Sequence, residues 1–310
     1  MSLFTKTRDL LEMIRFSHTV FALPFALLAA VMAWTSPGIR HDQIAFNPWH
    51  LVGILICMVG ARSAAMAFNR LVDRQIDTHN PRTAQRHLPA GKLSVTSVVL
   101  FLLITTAIFI SGTLLFLPNW LPLALAIPVL IILLGYSYTK RFTSLAHFWL
   151  GLSLMLAPIA VWIALRGEFV LDEPKDLVPA IVLGLAVMLW VAGFDMIYAC
   201  QDYEFDRGAG LRSIPATFGV AASLRIAAIC HLMMVVMLIA LPFASRSVGI
   251  ELNLGWLYWL AVTFVAILLT YEHALVRPND LTRVNQAFFN VNAIVSFVLF
   301  ILGSIDLIWN

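Results

Sequence analysis

Charge is what this chain has least of. Only 12% of its 310 residues are Asp, Glu, Lys or Arg, and 61% are hydrophobic; a soluble domain carries about 25% charged residues. The mean hydropathy is +0.88. These values exclude an ordinary soluble domain and indicate a polytopic membrane protein. Cysteine is scarce as well. Cys57, Cys200 and Cys230 all lie in apolar runs, an odd number that excludes a disulfide framework and suits small buried side chains. No zinc spacing, Walker loop, dinucleotide fingerprint or catalytic triad is present. No low-complexity segment or separate soluble domain interrupts the chain, and no cleavable signal peptide is evident. Nucleic acid is not expected among its partners.

What remains is nine apolar runs of about the 20 residues that a bilayer-spanning helix needs. They cover 16–34, 49–69, 96–117, 120–138, 146–165, 177–200, 224–243, 254–274 and 286–308. The expected fold is all-α: nine transmembrane helices around a central cavity, forming a single domain over residues 1–310. Pro24, Pro128 and Pro158 fall inside runs as kinks that membrane helices tolerate. Trp34, Trp49, Trp120, Trp256, Trp259 and Trp309 stand near run ends, as an aromatic belt does. Fifteen of the 20 Lys and Arg residues fall on one side, four on the other, and Arg62 inside the second run. This bias places the N-terminus in the cytoplasm of a cell whose inner (plasma) membrane holds the protein.

Two polar stretches break the hydrocarbon, at about 69–92 and 195–219. The first begins Asn69-Arg-Leu-Val-Asp73-Arg-Gln-Ile-Asp77, and the second runs from Asp195 through Asp202 and Asp206. Both emerge on the Lys/Arg-rich side, after spans two and six. Asp73-x-x-x-Asp77 leads to Arg86-His-Leu-Pro89-Ala, and Asp202-x-x-x-Asp206 leads to Arg212-Ser-Ile-Pro215-Ala. The echo predicts two four-helix pseudo-repeats plus a ninth helix, with a binding site where the repeats meet. At about 100° per residue, Arg62, Asn69, Asp73 and Asp77 share one helical face, as do Asp195, Asp202 and Asp206. Ionisable groups beside a membrane span usually face a cavity or mark function, so the two faces suggest one shared polar cavity.

Four carboxylates offer hard oxygen ligands suited to Mg²⁺, which binds one or two carboxylates and keeps substrate phosphates or waters. Arginines and lysines surround them, a mixture that fits a phosphate ester better than a bare cation. Beside lipid, the natural phosphate ester is an isoprenyl pyrophosphate with an apolar tail.

Here the residues carry a resemblance. Asn69-x-x-x-Asp73-x-x-x-Asp77 and Asp202-x-x-x-Asp206 resemble the two aspartate-rich motifs of the UbiA superfamily of intramembrane prenyltransferases, as do Arg62-Ser-Ala, Arg82 and Arg86 with Pro89-x-Gly91, Tyr138-x-Lys140-Arg141, and Asp195. The likeness covers the whole chain and points to the branch resembling 4-hydroxybenzoate polyprenyltransferases. One departure is Arg70, where many members carry Asp. The resemblance implies that Asn69, Asp73 and Asp77 hold one Mg²⁺ and Asp202 and Asp206 another. Arg82, Arg86, Lys140, Arg141 and Arg212 would bind the pyrophosphate of a polyprenyl donor, with Arg62 beside them. Arg15 and Arg70 would take either the pyrophosphate or the carboxylate of an aromatic acid. Asp73, Asp202 and Asp206 are then catalytic through the leaving group. Asp195 either accepts a proton from the acceptor or polarises its hydroxyl, and its bland alternative is a neutralising pair with Arg62.

Other polar residues read more plainly. Arg74, Arg207 and Arg225 suit topology, Glu204 lies off the Asp202/Asp206 face and reads as solvated, and Asn285, Asn290 and Asn292 suit helix–helix hydrogen bonds. His18 is a possible acceptor contact. The expected function is Mg²⁺-dependent polyprenyl transfer to an aromatic acid of the 4-hydroxybenzoate type, in ubiquinone or menaquinone biosynthesis. A futalosine-pathway or other naphthoate menaquinone precursor is the alternative acceptor. A cation-coupled secondary transporter is the alternative from another class, and it predicts polar residues along both halves of the spans, which this sequence confines to one side.

Overall fold

In hydrocarbon a chain must satisfy its own backbone N–H and C=O groups, which an apolar run achieves by forming a helix. The computed structural model describes residues 3–14, 21–39 and 43–309, with side chains from Arg8 onward. Every element of regular length among them is helical. Among the described residues, eight helices are long and apolar enough to cross a membrane. The remaining run contains α2 (Leu23–Thr35), of 13 residues, with Pro24 in its first turn; residues 15–20 of that run lie outside the described residues. Each of the nine expected runs thus holds a helix.

The chain forms two compact units. One is Met1–Thr19 with Trp49–Tyr138, and the other is Val20–Pro48 with Thr139–Asn310. The division does not follow the pseudo-repeats, because the first span belongs with the last five.

The first unit contains α1 (Leu3–Met13), α3 (Pro48–Val72), α4 (Arg74–His79), α5 (Val95–Thr113) and α6 (Leu121–Thr139). Met13 and Ile14 at the end of α1 pack with Ala67 and Leu71 of α3 and with Leu93 and Val98. This cluster anchors the end of α3 from which the first motif emerges. Farther along, α3 and α5 meet at Gly60, where an added Cβ would lie 2.8 Å from the backbone nitrogen of Phe109. Small residues allow such close approach between membrane helices.

The second unit contains α2, α7 (Ala146–Asp172), α8 (Val178–Ala199), α9 (Tyr203–Gly208), α10 (Ile214–Phe218), α11 (Val220–Ser247), α12 (Trp256–Leu275), α13 (Val284–Gln286) and α14 (Asn292–Trp309). A π-helical turn, Ala287–Val291, joins α13 to α14. Helix α8 is the most buried of the eight spans and packs between α7 and α11, while α2 packs against α7 and α14. The α7–α8 contact is close at Gly151, whose added Cβ would strike the Met188 carbonyl.

Two polar clusters stiffen this unit. Arg166, at a kink in α7, donates Nε and Nη2 to Asp176 at 2.8 and 2.6 Å and Nη1 to the carbonyls of Ala33 and Ser36. It thereby ties the end of α2 to α7. In the other cluster Trp190 Nε1 donates to Asn292 Oδ1 at 2.6 Å, and Asn292 Nδ2 donates to Glu272 Oε1 at 2.9 Å. His231 and His273 complete it, their ring nitrogens 3.0 Å apart. Asn292 thus makes the helix–helix hydrogen bonds expected of it.

Candidate active site

Each aspartate motif begins where a spanning helix bends. Asp73 joins α3 to α4 with φ −89° and ψ 3°, and Asp202 precedes α9 with φ −97° and ψ 7°. Both lie in the sparsely allowed bridge region, where many active-site residues sit. Each is followed by a helix of 6 residues. The sequence echo is therefore also an echo of local backbone.

In the first unit the helical hydrogen bonds run on through the bend. The Asp73 N–H donates to the Asn69 carbonyl at 2.9 Å, and the Asp77 N–H to the Asp73 carbonyl at 2.8 Å. This continuity keeps Asn69, Asp73 and Asp77 on one face. Asn69 Nδ2 donates to Asp73 Oδ2 at 2.9 Å. Arg70 is buried; its Nη1 donates to Asn69 Oδ1 at 3.1 Å and its Nε to the Met13 carbonyl at 3.4 Å. In this arrangement Arg70 braces Asn69 from behind. Arg86 closes on buried Asp77, its Nη1 2.7 and 2.8 Å from the two carboxylate oxygens. Thr83 Oγ1 donates to the Asp77 carbonyl and folds the following loop back onto α4. Arg82 is exposed on that loop. Arg62, deep in α3, keeps a buried Nε with no hydrogen-bond partner among the described residues.

The second unit gathers its residues around the turn between α6 and α7. The Arg212 N–H donates to the Lys140 carbonyl at 2.7 Å, and Arg212 Nη1 to the Phe142 carbonyl at 2.9 Å. These bonds pin the loop after α9 against the turn that carries Lys140 and the exposed Arg141. Asp202 and Asp206 are both buried. Asp206 is surrounded by Lys140, Asp202 and His147 and accepts a hydrogen bond from Ser213, yet its Oδ2 is buried without a partner. Glu204 is exposed, as its place off the face implies. Asp195, one face earlier on α8, accepts from His147 Nδ1 at 2.7 Å. His147 is fully buried.

The Asp206 oxygen carries the test for a metal. A buried carboxylate oxygen without a donor is costly, and a hard divalent cation supplies what it lacks. The residues of the second motif therefore fit Mg²⁺. The first motif presents the same oxygen chemistry, with Arg86 standing where a cation would and Arg70 supporting Asn69. Arg15 and His18 lie outside the described residues.

Sequence reasoning missed His147, Glu272 and His231. Glu272 had a readable signal, an acid inside an apolar run. His147 begins an apolar run, and nothing in its spacing links it to Asp195, 48 residues away.

Comparison with known proteins agrees with this architecture. A sequence model of the UbiA prenyltransferase family matches residues 18–294. The 4-hydroxybenzoate octaprenyltransferase of Vibrio atlanticus (strain LGP32) is 32% identical over 245 residues, 78% of this chain and 79% of that protein. The enzyme of the same name from Nitrosomonas europaea is 30% identical over 252 residues, covering 79% and 78% of the two chains. The apo structure of a UbiA homolog from Aeropyrum pernix K1 has a TM-score of 0.76 at 31% identity, covering 91% of this chain and 95% of that one. A UbiA homolog from Archaeoglobus fulgidus, bound to GPP and Mg²⁺, shares the fold with a TM-score of 0.65 at 20% identity, covering 96% and 99%. A family of transferases decides between the enzyme and transporter readings. With helices of membrane-spanning length and two aspartate motifs set in matching bends, the chain belongs to the UbiA prenyltransferase family and is a membrane-embedded prenyltransferase.

Proposed function

We propose that this prenyltransferase moves a polyprenyl group from polyprenyl pyrophosphate to an aromatic acid of the 4-hydroxybenzoate type, in quinone biosynthesis and with Mg²⁺. The observation that carries the reading is the buried, unpartnered Oδ2 of Asp206 beside Asp202 and Lys140. The names of the relatives at 30–32% identity support the acceptor class.

Asn69, Asp73 and Asp77 would hold one Mg²⁺, and Asp202 and Asp206 a second. Bound there, Mg²⁺ supplies positive charge to the departing pyrophosphate. Arg82, Arg86, Lys140, Arg141 and Arg212 add fixed positive charge to the same leaving group, which lowers the barrier to cleavage of its bond to the allylic carbon. Arg62 contributes a desolvated guanidinium to the donor. Arg15 and Arg70 are assigned to the substrates' anionic groups, Arg70 through its hold on Asn69. Asp195 accepts the acceptor's phenolic proton or polarises that hydroxyl, which raises electron density at the ring carbon to be alkylated. Apolar span surfaces shield the allylic cation from water. The excess of Lys and Arg around both motifs supports an inner-membrane orientation with the N-terminus and motif loops in the cytoplasm.

Membranes carrying the protein, given labelled polyprenyl pyrophosphate, Mg²⁺ and a panel of hydroxybenzoates and naphthoates, test this directly. Transfer to 4-hydroxybenzoate that disappears in Asp73→Ala, with an unchanged melting temperature, is the expected result. Transfer to a naphthoate alone would move the acceptor assignment, and full activity of Asp73→Ala would remove the metal–pyrophosphate site.

A further inference from the structure

The contact between His147 and Asp195 has a direction that the hydrogen bonds determine. His147 sits in the first turn of α7 and is completely buried. Its Nδ1 lies 2.7 Å from Asp195 Oδ2. Its other ring nitrogen, Nε2, accepts the backbone N–H of Ile214 at 3.4 Å. A backbone amide can only donate, so Nε2 carries no proton, and the proton of the imidazole resides on Nδ1. The ring is a donor to Asp195. Ile214 is itself fixed, because it opens α10 directly after Ser213, whose Oγ caps that helix by accepting the Ala216 N–H at 3.2 Å. Arg212, just before, is tied to the turn that precedes His147. The imidazole is thus clamped from both ends by one piece of structure. The side chain of Asp195 retains 16% exposure, so its carboxylate is not sealed in.

From this geometry we infer that His147 is the positioning residue of Asp195: it donates one fixed hydrogen bond to Oδ2, aims the other carboxylate oxygen at the acceptor hydroxyl, and is barred by the Ile214 amide from relaying a proton. The inference rests on the reading of Asp195 as the acceptor's base. In the step it serves, the acceptor O–H bond breaks, its electron pair stays on the acceptor oxygen, and the proton passes to the Asp195 carboxylate. His147 neither gains nor loses a proton in that step. A shuttle made of Asp195 and His147 would need a free Nε2 to pass the proton on, and the amide occupies it. Asp206 lies within electrostatic reach of the same ring, and Lys140 and Asp202 act on that carboxylate in turn.

The distinction between holding and relaying is open to experiment in the full-length protein. His147→Phe removes the donor, and His147→Asn replaces it, since an Asn side-chain NH₂ can occupy the position of Nδ1–H. Transfer by His147→Phe should fall in kcat by ~100-fold, the scale of a misplacement of about 1 Å, with KM for the prenyl pyrophosphate within about threefold of the parent. His147→Asn should recover most of that loss. Equal impairment of both variants at unchanged melting temperature would overturn the proposal in favour of a relay, and an active His147→Phe would overturn it outright. A second readout needs no turnover. In ¹⁵N-histidine-labelled protein, the signal missing from His147→Phe should be a neutral ring protonated at Nδ1. An Nε2–H tautomer would overturn the proposal. If the parent protein transfers to no aromatic acid, the functional reading fails, and the nitrogen spectrum still decides whether His147 is the fixed donor.

Discussion

One nitrogen of Arg86 covers both carboxylate oxygens of Asp77, at 2.7 and 2.8 Å. In the second motif Arg212 turns to the Phe142 carbonyl, and Asp206 Oδ2 is buried without a hydrogen-bond partner among the described residues. With the same local backbone, the first motif is thus closed by its arginine and the second leaves one carboxylate oxygen open.

The closed motif predicts an exchange between arginine and metal. Removing the guanidinium leaves Asp77 buried and unpaired, a loss of about 3 kcal/mol. Arg86→Gln should therefore melt at a lower temperature in metal-free buffer. Added Mg²⁺ should restore more stability to the variant than to the parent. Thermal melts in detergent with and without Mg²⁺ measure both quantities, and an identical Mg²⁺ response in the two proteins would count against Asp77 as a ligand.

In the open motif, function and stability should part company. Asp206→Asn removes a buried charge whose Oδ2 has no hydrogen-bond partner. Its melting temperature in metal-free buffer should stay level or rise, by the equivalent of roughly 1–2 kcal/mol. Prenyl transfer by the same variant should be lost. A variant that is both unstable and inactive would mean that Asp206 serves the fold rather than the metal.

Asp195 should separate donor chemistry from acceptor chemistry. General-base assistance is worth about 10²–10⁴-fold, so Asp195→Asn should lower transfer by that factor. Binding of the prenyl pyrophosphate with Mg²⁺, measured by calorimetry, should be nearly unchanged. Loss of donor binding would place Asp195 with the pyrophosphate instead.

Away from both motifs, Arg166 and Asp176 form a pair buried to 1% exposure or less. Asp176→Ala leaves that guanidinium unpaired and should cost about 3–5 kcal/mol. The double variant Arg166→Met, Asp176→Leu should recover most of the loss, because no charge remains to be buried. Denaturation in mixed micelles reads this, and equal instability of the single and double variants would show that the Arg166 bonds to Ala33 and Ser36 dominate.

The spans and both motifs were legible because hydropathy and helical spacing are local properties of the chain. Asn69, Asp73 and Asp77 stand four residues apart, and counting alone places them on one face. Arg70 could be noticed by its departure from relatives. Its hold on the Met13 carbonyl could not be foreseen, because that contact joins residues 57 apart. His147 escaped for the same reason, and Asp195 was weighed against Arg62 when its partner stands at the head of the next helix back. Asp306 was equally silent in the sequence, although it accepts from the Gly255 and Tyr258 N–H groups and so caps the start of α12. Polar partners distant in sequence leave no period to count. Beside the π-helical turn, Asn292 Nδ2 reaches the nearby Ala287 and Phe288 carbonyls, while its partners Trp190 and Glu272 are 102 and 20 residues away.

Helix α2 packs on α7 and on α14, the first span against the last. During synthesis α2 leaves the ribosome long before α14. At ~5–20 residues per second, α2 waits on the order of tens of seconds for the surface that completes its burial. Through that interval it must rest in lipid or against insertion machinery, and the second unit cannot close until α14 has emerged. A nascent chain stopped before α14 should therefore leave a cysteine introduced into α2 open to labelling that the finished protein refuses.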